Sequence, residues 1–266
     1  MVLHASGNKH LSTEFRILPA YDDKLRLIES YFNELGANRH IDILEAGCGR
    51  SWPFKSLNVD YTLTGIDIDR DALDYRKTAK GDLHETIVGD LRDAALPEES
   101  FDIIYSNCVL EHVQGSERVL ANFTRWLKPG GLLIVCVPDV RSVYGFVARF
   151  TPHAFHIFYY KRFRGHFLAG EPGHGPYKAY YEHAVSEAGL RAFAAAQGLA
   201  VEAVHGVKNP PTADNAALFR LASILSFGFL RPGHSDLLFL FRKPGSTASS
   251  SAIAAEGARS LAPLIT

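Results

Sequence analysis

The sequence predicts an α/β fold in which a doubly wound, mainly parallel sheet is covered by helices on both faces. Short apolar segments alternate with helical patterns along most of the chain, and this alternation is typical of strand–helix–strand units. A glycine-rich turn follows the first predicted strand, and acidic residues follow the next two. They indicate a ligand site at the carboxyl ends of the strands. The length of 266 residues suits one large α/β domain.

Seven segments have the length and the apolar composition of strands. The fifth is apolar throughout, as expected of a central parallel strand that is buried on both faces. The predicted strands span residues 41–44, 61–66, 86–88, 101–105, 132–137, 199–204 and 236–241.

Helical patterns separate several of these strands. Apolar residues at helical spacing predict a helix over 22–35, with Asp22 or Asp23 as its N-cap. Further helices are predicted to begin at Ser116, which is followed by apolar residues on one face, and at Ser186, a preferred N-cap residue. Strands and helices together predict a sheet with helices on both sides.

The segment 139–185 separates the fifth and sixth predicted strands and is longer than a plain crossover needs. It is rich in aromatic residues and contains five histidines, so we expect it to form a cap over the ligand site. We predict a single domain over residues 1–244 that includes this cap. The Ser/Ala-rich segment 245–266 is predicted to be disordered.

Composition and charge argue against several classes of partner. The formal net charge is −1 and the sequence pI is about 6.9, without the basic excess of a nucleic-acid-binding domain. The three cysteines have no metal-ligand spacing, which favours reduced thiols. Residues 1–10 lack an apolar signal core, and no apolar run reaches the roughly 20 residues of a membrane span. We therefore expect a cytoplasmic protein.

The strongest motif follows the first predicted strand and reads EAGCGRS over residues 45–51. Glycines in such a turn let the backbone bend tightly and approach a ligand without a Cβ clash. A dinucleotide-binding turn with the pattern GxGxxG would need glycine at position 52, where this chain has Trp52. The motif therefore favours another cofactor over a dinucleotide.

Acidic residues follow the next two predicted strands. Asp67 ends the second strand, where a carboxylate can accept hydrogen bonds from both hydroxyls of a ribose. Asp90 follows the third strand and could accept a hydrogen bond from an adenine amino group, with Leu91 against the ring. The glycine motif and the two acids occur in order at strand ends, which indicates a cofactor that contains adenosine.

Over about residues 40–140 the sequence resembles the class I methyltransferases, in their small-molecule group. The resemblance rests on the glycine motif, GID at 65–67, GD at 89–90, FDII at 101–104, LEHV at 110–113 and LKPGG at 127–131. It implies a Rossmann-like methyltransferase fold with seven strands, the last antiparallel, and S-adenosylmethionine as the cofactor. Ser51 departs from the pattern, since many members have a third glycine there, and RSWP at 50–53 resembles an uncharacterised bacterial subgroup.

The resemblance also implies positions around the cofactor. The glycine motif would surround its methionine part, Asp67 would bind the ribose, and Asp90 and Leu91 would bind the adenine. Asn107, after the fourth predicted strand, would lie beside the sulfonium. The full set of expected cofactor-binding residues is Glu45, Gly47, Cys48, Gly49, Asp67, Ile68, Asp90, Leu91 and Asn107.

Histidines are the candidate bases, because imidazole titrates near neutral pH and can take the proton of an acceptor hydroxyl. We rank His112, near the expected methyl group, and His156, in the expected cap, before His153 and His183. Each could instead be a structural residue. Some related enzymes bind magnesium through Glu-x-x-Glu-His, but Cys108 replaces the first carboxylate, and magnesium prefers oxygen ligands. We therefore expect no metal site.

The first functional hypothesis is a methyltransferase that modifies a hydroxyl or an amine of a small molecule, such as a natural product or a sugar. A second is a methyltransferase that acts on a lipid-linked or glycan acceptor at a membrane surface. A third is a non-catalytic protein that binds the cofactor or a partner. A dinucleotide oxidoreductase and a protein or RNA methyltransferase are further alternatives. An anionic acceptor would fit the basic residues of the expected cap, Arg141, Arg149, Lys161, Arg162 and Arg164.

Residues 215–230, between the sixth and seventh predicted strands, predict a surface helix. The segment has one charged residue, and its apolar residues lie on nearly all sides of the helix. It is too short to span a bilayer. We expect it to contact a membrane surface, an apolar acceptor or a second subunit in a homodimer, unless it packs on the cap of its own chain.

Overall fold

A computed structural model describes residues 15–54, 56–163, 165–171, 173–208 and 216–245. In these residues the chain forms a sheet of eight strands. In chain order they are β1 (Arg16–Leu18), β2 (Ile41–Ala46), β3 (Tyr61–Asp67), β4 (Glu85–Val88), β5 (Phe101–Asn107), β6 (Leu127–Pro138), β7 (Ala200–Val207) and β8 (Asp236–Arg242).

The order across the sheet is β1-β7-β8-β6-β5-β2-β3-β4. Every neighbouring pair is parallel except the pairs of β8, which runs antiparallel to both β6 and β7. The predicted doubly wound α/β fold with an antiparallel last strand is therefore confirmed. All seven predicted strands are present.

The prediction of seven strands is wrong in number, because β1 adds an eighth strand at the edge of the sheet. β1 has three residues and pairs in parallel with β7, with Ile17 opposite Gly206. So short a segment has no periodicity that would distinguish a strand from a loop. Its conformation is set by pairing with residues far along the chain.

The described helices are α1 (Tyr21–Gly36), α2 (Arg70–Tyr75), α3 (Ser116–Trp126), α4 (Val143–Phe150), α5 (His153–Phe163), α6 (Glu187–Ala196) and α7 (Ala216–Leu225). The predicted N-cap of α6 is confirmed, because Ser186 Oγ accepts a hydrogen bond from the Gly189 amide at 3.1 Å. The N-cap predicted for α1 is wrong. Ala20 occupies that position without a side-chain hydrogen bond, and Asp22 and Asp23 lie in the first turn, where carboxylates still favour the helix N-terminus.

Helices cover both faces of the sheet and bury large side chains there. Phe123 and Trp126 of α3 are fully buried on one face, and Ile28 and Phe32 of α1 on the other. Full burial of a large apolar side chain contributes roughly 1.5–3 kcal/mol. Because all strands except β8 are parallel, their carboxyl ends lie together at one edge of the sheet, and the helices on the two faces leave that edge uncovered.

Near the amino ends of β2 and β5, Asp102 binds three donors. Its nearly buried carboxylate accepts hydrogen bonds from Arg39 Nη1 at 2.6 Å, from Lys128 Nζ at 2.7 Å and from the Asp42 amide at 2.9 Å. Burial alone would raise the pKa of Asp102, but these hydrogen bonds lower that pKa below its ordinary value. The carboxylate therefore ties β5 to β2 and to the start of β6.

The segment predicted as the cap, 139–185, contains α4, α5 and a long connection toward α6. The helix predicted over 215–230 is α7, which ends five residues earlier than predicted; residue 215 lies outside the described residues. No helix in the described part of the chain is long and apolar enough to cross a membrane. Residues 1–14 and 246–266 are also outside the described residues, so a single domain over 1–244 and a disordered segment over 245–266 stay predictions.

Candidate functional site

The glycine motif forms a tight turn after β2. Gly47 has a left-handed backbone (φ +70°), and a Cβ at this position would lie 2.4 Å from Cγ2 of Val109, so the turn requires glycine there. Gly49 is also left-handed (φ +51°), but no described atom lies within 4 Å of its Cβ position. The backbone at Gly49 is therefore open to the approach of a ligand.

A buried arginine supports this turn from behind. Arg76 donates to Glu45 Oε2 at 2.6 Å, to the Cys48 carbonyl at 3.0 Å and to Asp82 at 2.9 Å. Burial raises the pKa of Glu45, and the Arg76 guanidinium opposes that rise. Because Arg76 and Glu45 are almost fully buried, removing Arg76 would leave the Glu45 carboxyl without its ion-pair partner, whereas Arg76 would keep Asp82 if Glu45 were removed. Arg76 thus connects the Glu45 carboxyl to the Cys48 carbonyl and stabilises the turn.

Asp67 ends β3 beside the turn. Its Oδ2 accepts a hydrogen bond from the Gly49 amide at 2.9 Å, and its Oδ1 accepts one from the Asp69 amide at 2.9 Å. The next residue, Ile68, is 75% exposed. The structure thus brings the glycine motif, the Asp67 carboxylate and an uncovered apolar side chain together at the carboxyl ends of β2 and β3, where sheets of this kind bind ligands.

Asp90 and Leu91 follow β4, one strand farther from the centre of the sheet. Arg92 binds the Asp90 carboxylate through Nη2 at 2.6 Å and through Nε at 3.0 Å. These hydrogen bonds lower the pKa of Asp90. Leu91 is buried, and its carbonyl accepts a hydrogen bond from Asn122 at 2.8 Å. A ligand amino group at Asp90 would share the carboxylate with Arg92, a partner that the sequence analysis did not include.

A cavity of about 190 Å³ lies at the carboxyl ends of β2 and β5. Tyr105 of β5 is almost fully buried, and its Oη has no hydrogen-bond partner among the described residues. Leaving a buried polar group unsatisfied costs about 1–3 kcal/mol, which favours a polar ligand atom in the cavity. The residues that line it are Tyr21, Glu45, Ala46, Gly47, Cys48, Gly49, Arg50, Ser51, Pro53, Tyr105 and Asn107. Five of the predicted cofactor-binding residues are among them.

The structure adds a buried lysine to this site. Lys24 of α1 is 1% exposed, and its Nζ donates to Asn107 Oδ1 at 2.8 Å and lies 3.8 Å from Cys136 Sγ. The ammonium also lies 4.3 Å from the centre of the Tyr21 ring. Because an ammonium can only donate, Asn107 presents its carbonyl oxygen to Lys24, which leaves the NH₂ group of Asn107 for the cavity. The helical pattern of α1 contains no sign of this contact.

Cys108 follows Asn107 in an uncommon left-handed conformation (φ +55°). Its amide donates to the Cys136 carbonyl at 2.8 Å. Non-glycine residues in this conformation are strained and tend to cluster at functional sites. In the part of the chain that the structure describes, no group of three or more His, Cys, Asp or Glu side chains is arranged to hold a metal ion. Independence of metal stays a prediction.

His112 ends the short helical turn after Cys108. Its Nδ1 lies 3.0 Å from the Lys178 carbonyl oxygen, and its ring packs edge-to-face on Tyr177 with 5.7 Å between ring centres. Because a carbonyl only accepts, Nδ1 carries the proton and Nε2 of the neutral ring is the acceptor. Burial lowers the pKa of His112, so the ring is neutral at pH 7. These properties suit a general base.

Glu111 precedes His112 and is buried, which raises its pKa to about 8. The Glu111 carbonyl accepts a hydrogen bond from the Tyr180 amide at 2.8 Å. At the other end of the same cap segment, a Cβ on Gly173 would lie 2.8 Å from Asp69 Oδ2. Residues 173–181 therefore extend from the loop after β3 to the turn that contains Glu111 and His112; that they cover the ligand site stays a prediction.

The other three candidate histidines have separate surroundings. His153 is exposed at the start of α5 and is close enough to His112 to lower the pKa of that ring. His156 Nε2 lies 3.1 Å from the Ala148 carbonyl and joins α5 to α4. His183 is exposed in the turn before α6. Of these three, only His153 affects the electrostatics of His112, and catalytic roles for all four histidines stay predictions.

Comparison with known proteins adds an independent finding. Residues 44–135 match a protein family described as a methyltransferase domain. This range contains the glycine motif, Asp67, Asp90, Asn107 and His112. Over these residues the chain is therefore similar to a methyltransferase domain, in agreement with the resemblance to the class I methyltransferases.

Two curated enzymes show how far this methyltransferase similarity extends. A phosphoethanolamine N-methyltransferase of Triticum aestivum is 29% identical over 102 residues, which cover 35% of this chain and 19% of that protein. A malonyl-[acyl-carrier protein] O-methyltransferase of Buchnera aphidicola is 27% identical over 124 residues, which cover 46% of this chain and 47% of that protein. The matched region therefore spans less than half the length of either relative.

A solved structure extends the comparison across most of the fold. The S-adenosylmethionine-dependent methyltransferase of Mesorhizobium loti superposes with a TM-score of 0.54 at 18% identity, covering 82% of this chain and 95% of that one. The site itself fits the cofactor of this family. The open backbone at Gly49, the Asp67 carboxylate and the unsatisfied Tyr105 hydroxyl lie at the strand ends that such a ligand would cross.

Proposed function

We propose that this chain transfers a methyl group from S-adenosylmethionine to a hydroxyl or an amine of a small molecule. One arrangement carries the proposal. The glycine motif and Asn107 line a single cavity, Asp67 is bound to that motif, and His112, on the loop after β5, contacts Lys178 of the predicted cap. This arrangement supports a cofactor-binding site and a neutral base on adjacent loops.

The cofactor would lie across the carboxyl ends of β2, β3 and β4. An ionised carboxylate has about four lone-pair sites, and two of those of Asp67 are used by backbone amides. The remaining sites are available to the two ribose hydroxyls. The glycine motif with Cys48 would contact the methionine part, Ile68 would cover the ribose side, and Asp90 with Leu91 would bind the adenine. Asn107 would donate from its NH₂ group near the sulfonium.

S-adenosylmethionine supplies a methyl group that is already activated on a sulfonium. The protein must hold the acceptor atom about 3 Å from that methyl, in line with the bond that breaks, and exclude water. His112 would take the acceptor's proton at Nε2, because Nδ1 is committed to the Lys178 carbonyl. Residues 173–181 of the cap would separate the acceptor from solvent.

The acceptor is proposed to carry an anionic group. Arg141, Arg149, Lys161 and Arg162 give the cap an excess of positive charge. The two curated relatives are named for phosphoethanolamine and for a malonyl group, which bear a phosphate and a carboxylate respectively. Phosphoethanolamine, which carries both an amine and a phosphate, is therefore the first acceptor to test with tritiated S-adenosylmethionine.

Cofactor binding can be measured without an acceptor. Calorimetry with S-adenosylhomocysteine, the demethylated product, is expected to show binding to the wild-type chain. Asp67→Ala should weaken it by about 1–3 kcal/mol, because a charged acceptor of hydrogen bonds is lost. Asp71→Ala removes an exposed carboxylate at the start of α2 and should bind like the wild type.

Two results would contradict the proposal at different levels. Unchanged affinity in a folded Asp67→Ala variant would remove Asp67 from the ribose site. Tight binding of NADH by a wild-type chain that ignores S-adenosylhomocysteine would reject the methyltransferase function as a whole.

A further inference from the structure

The cap presents aromatic side chains to solvent instead of to its own core. Every residue of α5 is described, and none is buried. Phe155, Phe158 and Phe163 are each more than half exposed and contact one another, with ring centres 6.4 Å and 6.1 Å apart. Phe167, in the loop that follows, is 81% exposed. Large contiguous apolar patches mark interaction sites, so this group of side chains needs a partner.

A second exposed apolar group lies on α7 and in the turn after it. Leu221, Ile224 and Leu225 are each more than half exposed, and Phe227 is fully exposed. The helix has about three turns, and these apolar side chains point away from the rest of the protein. Like α5, α7 therefore exposes apolar side chains that a binding partner could bury.

The turn after α7 contacts the start of the cap. The Arg141 guanidinium, just before α4, lies 5.3 Å from the centre of the Phe229 ring, and the Arg141 carbonyl accepts a hydrogen bond from the Arg231 amide at 2.7 Å. Phe229 is itself more than half exposed. We name the cap surface as the exposed apolar side chains of α5, Phe167, α7, Phe227 and Phe229.

The region of the cap surface is basic, although the chain as a whole is not. Residues 140–181 contain six Lys and Arg and one acidic residue, and residues 216–230 contain one Arg and no acid. The formal net charge of the entire chain is −1, so positive charge is concentrated here and balanced elsewhere. On α5, Arg162 lies next to Phe163, with 5.6 Å between the guanidinium and the ring centre. Cationic and aromatic groups thus lie side by side at the C-terminal end of this helix.

We propose that the cap surface binds an anionic lipid bilayer. Aromatic and aliphatic side chains would enter the boundary between headgroups and acyl chains, while Lys and Arg bind the anionic headgroups, as in helices that lie in a membrane interface. α5 and α7 have 11 and 10 residues, which is enough to lie flat and too few to span. A second copy of the chain fits less well, because a two-fold interface through this surface would place its cations against those of the partner.

Vesicle flotation tests the proposal on the full chain without an acceptor. The chain is expected to float with phosphatidylcholine vesicles that contain about one third phosphatidylglycerol, and to float less with phosphatidylcholine alone. Raising the salt concentration from about 50 to about 500 mM should weaken the binding, because salt screens the attraction between the cap cations and the headgroups.

A first variant removes the apolar part of the surface. Phe155→Ser/Phe158→Ser/Phe163→Ser is expected to lower the affinity for the anionic vesicles at least about tenfold, because the aromatic anchors are lost. None of the three side chains is buried, so the variant should keep the melting temperature and the S-adenosylhomocysteine affinity of the wild type. These two measurements verify that it is folded.

A second variant reverses the charge. Lys161→Glu/Arg162→Glu on α5 should weaken binding to the anionic vesicles at least about tenfold. Arg118→Glu/Arg125→Glu is the matched control, because it reverses two exposed charges on α3, outside the cap. The control should float like the wild type.

The outcomes separate a membrane from other partners. Absence of flotation with anionic vesicles at about 50 mM salt would overturn the proposal, as would flotation that both α5 variants leave unchanged. A stable dimer by light scattering, with α5 protected from hydrogen exchange in a chain that does not float, would identify a second copy as the partner and overturn it as well.

Discussion

Lys24 places a positive charge in the interior at the edge of the cavity. Burying an ammonium is costly unless other groups compensate it, and here the Asn107 oxygen and the face of the Tyr21 ring do so. The hydrogen bond also fixes which end of the Asn107 amide faces the cavity. Lys24 therefore acts as a positioning residue that would influence the cofactor through Asn107.

Lys24→Met keeps the length of the side chain and removes the charge. We expect the affinity for S-adenosylhomocysteine to fall about tenfold, because the Asn107 amide is free to turn. The free energy of unfolding should change by less than about 1 kcal/mol, since the lost hydrogen bond is offset by the removed desolvation. Calorimetry and urea unfolding measure the two quantities. Arg26→Met, on the exposed side of the same helix, is the control, and wild-type affinity in Lys24→Met would reject the positioning role.

His112→Ala tests the proposed base. Loss of a general base is expected to lower turnover about 10²–10⁴-fold, with unchanged affinity for S-adenosylhomocysteine. In the wild type, burial keeps the pKa of His112 below its ordinary value. Turnover should therefore persist as the pH falls to about 6.5 and decline below it, where the ring takes up a proton. Tritium transfer at several pH values measures this dependence. Full turnover in the variant would exclude His112 as the base and make His153 the next candidate.

Among the elements, the contact of β5 with β2 and β6 depends on the Asp102 carboxylate. Asp102→Asn is expected to reduce the free energy of unfolding by about 2 kcal/mol at neutral pH, because the charged hydrogen bonds to Lys128 and Arg39 are weakened. Half of the Arg39 side chain is exposed, so solvent screening keeps the loss from being larger. Urea unfolding measures the difference.

The difference in unfolding free energy between wild type and Asp102→Asn should depend on pH. The folded-state pKa of Asp102 is lowered, so its stabilisation is present above the unfolded-state pKa and is lost as the pH falls through the folded value. The difference between wild type and Asp102→Asn should therefore begin to shrink only as the pH falls below the ordinary aspartate value of about 3.9, and should shrink further at lower pH. Asp60→Asn, at an exposed carboxylate, should differ little from the wild type across this pH range. A gap that widens in acid would contradict the assigned ion pairs.

Elements with a strong local pattern could be predicted from the sequence, and those set by distant pairing could not. The apolar run at 132–137 identifies a central strand. Its true start at Leu127 depends on pairing with Phe101, and β1 depends entirely on β7. At the start of α1, acidic residues that favour an N-terminus occupy the first turn while Ala20 is the cap, because the path of the chain from β1 decides where the helix begins.

Across the whole molecule, the same distinction divides the candidate site. The glycine motif and the acids at strand ends are local signals, so the fold and the cofactor could be predicted, while the edge of the sheet that binds the cofactor stays a prediction. Arg76 behind Glu45 and Lys24 behind Asn107 bridge 31 and 83 positions of sequence. Such pairs leave no trace in spacing or composition, and the structure alone reveals them.

The place of β8 in the sheet has a consequence for synthesis on the ribosome. β8 lies between β6 and β7, although it is the last strand along the part of the chain that the structure describes. A nascent chain that has emerged as far as residue 235 would therefore hold two sheet fragments with open edges, β6 to β4 and β7 with β1. Open edges invite pairing with other chains. The final strand closes both at once, so a premature stop codon before Asp236 would yield an aggregating fragment instead of a shortened enzyme.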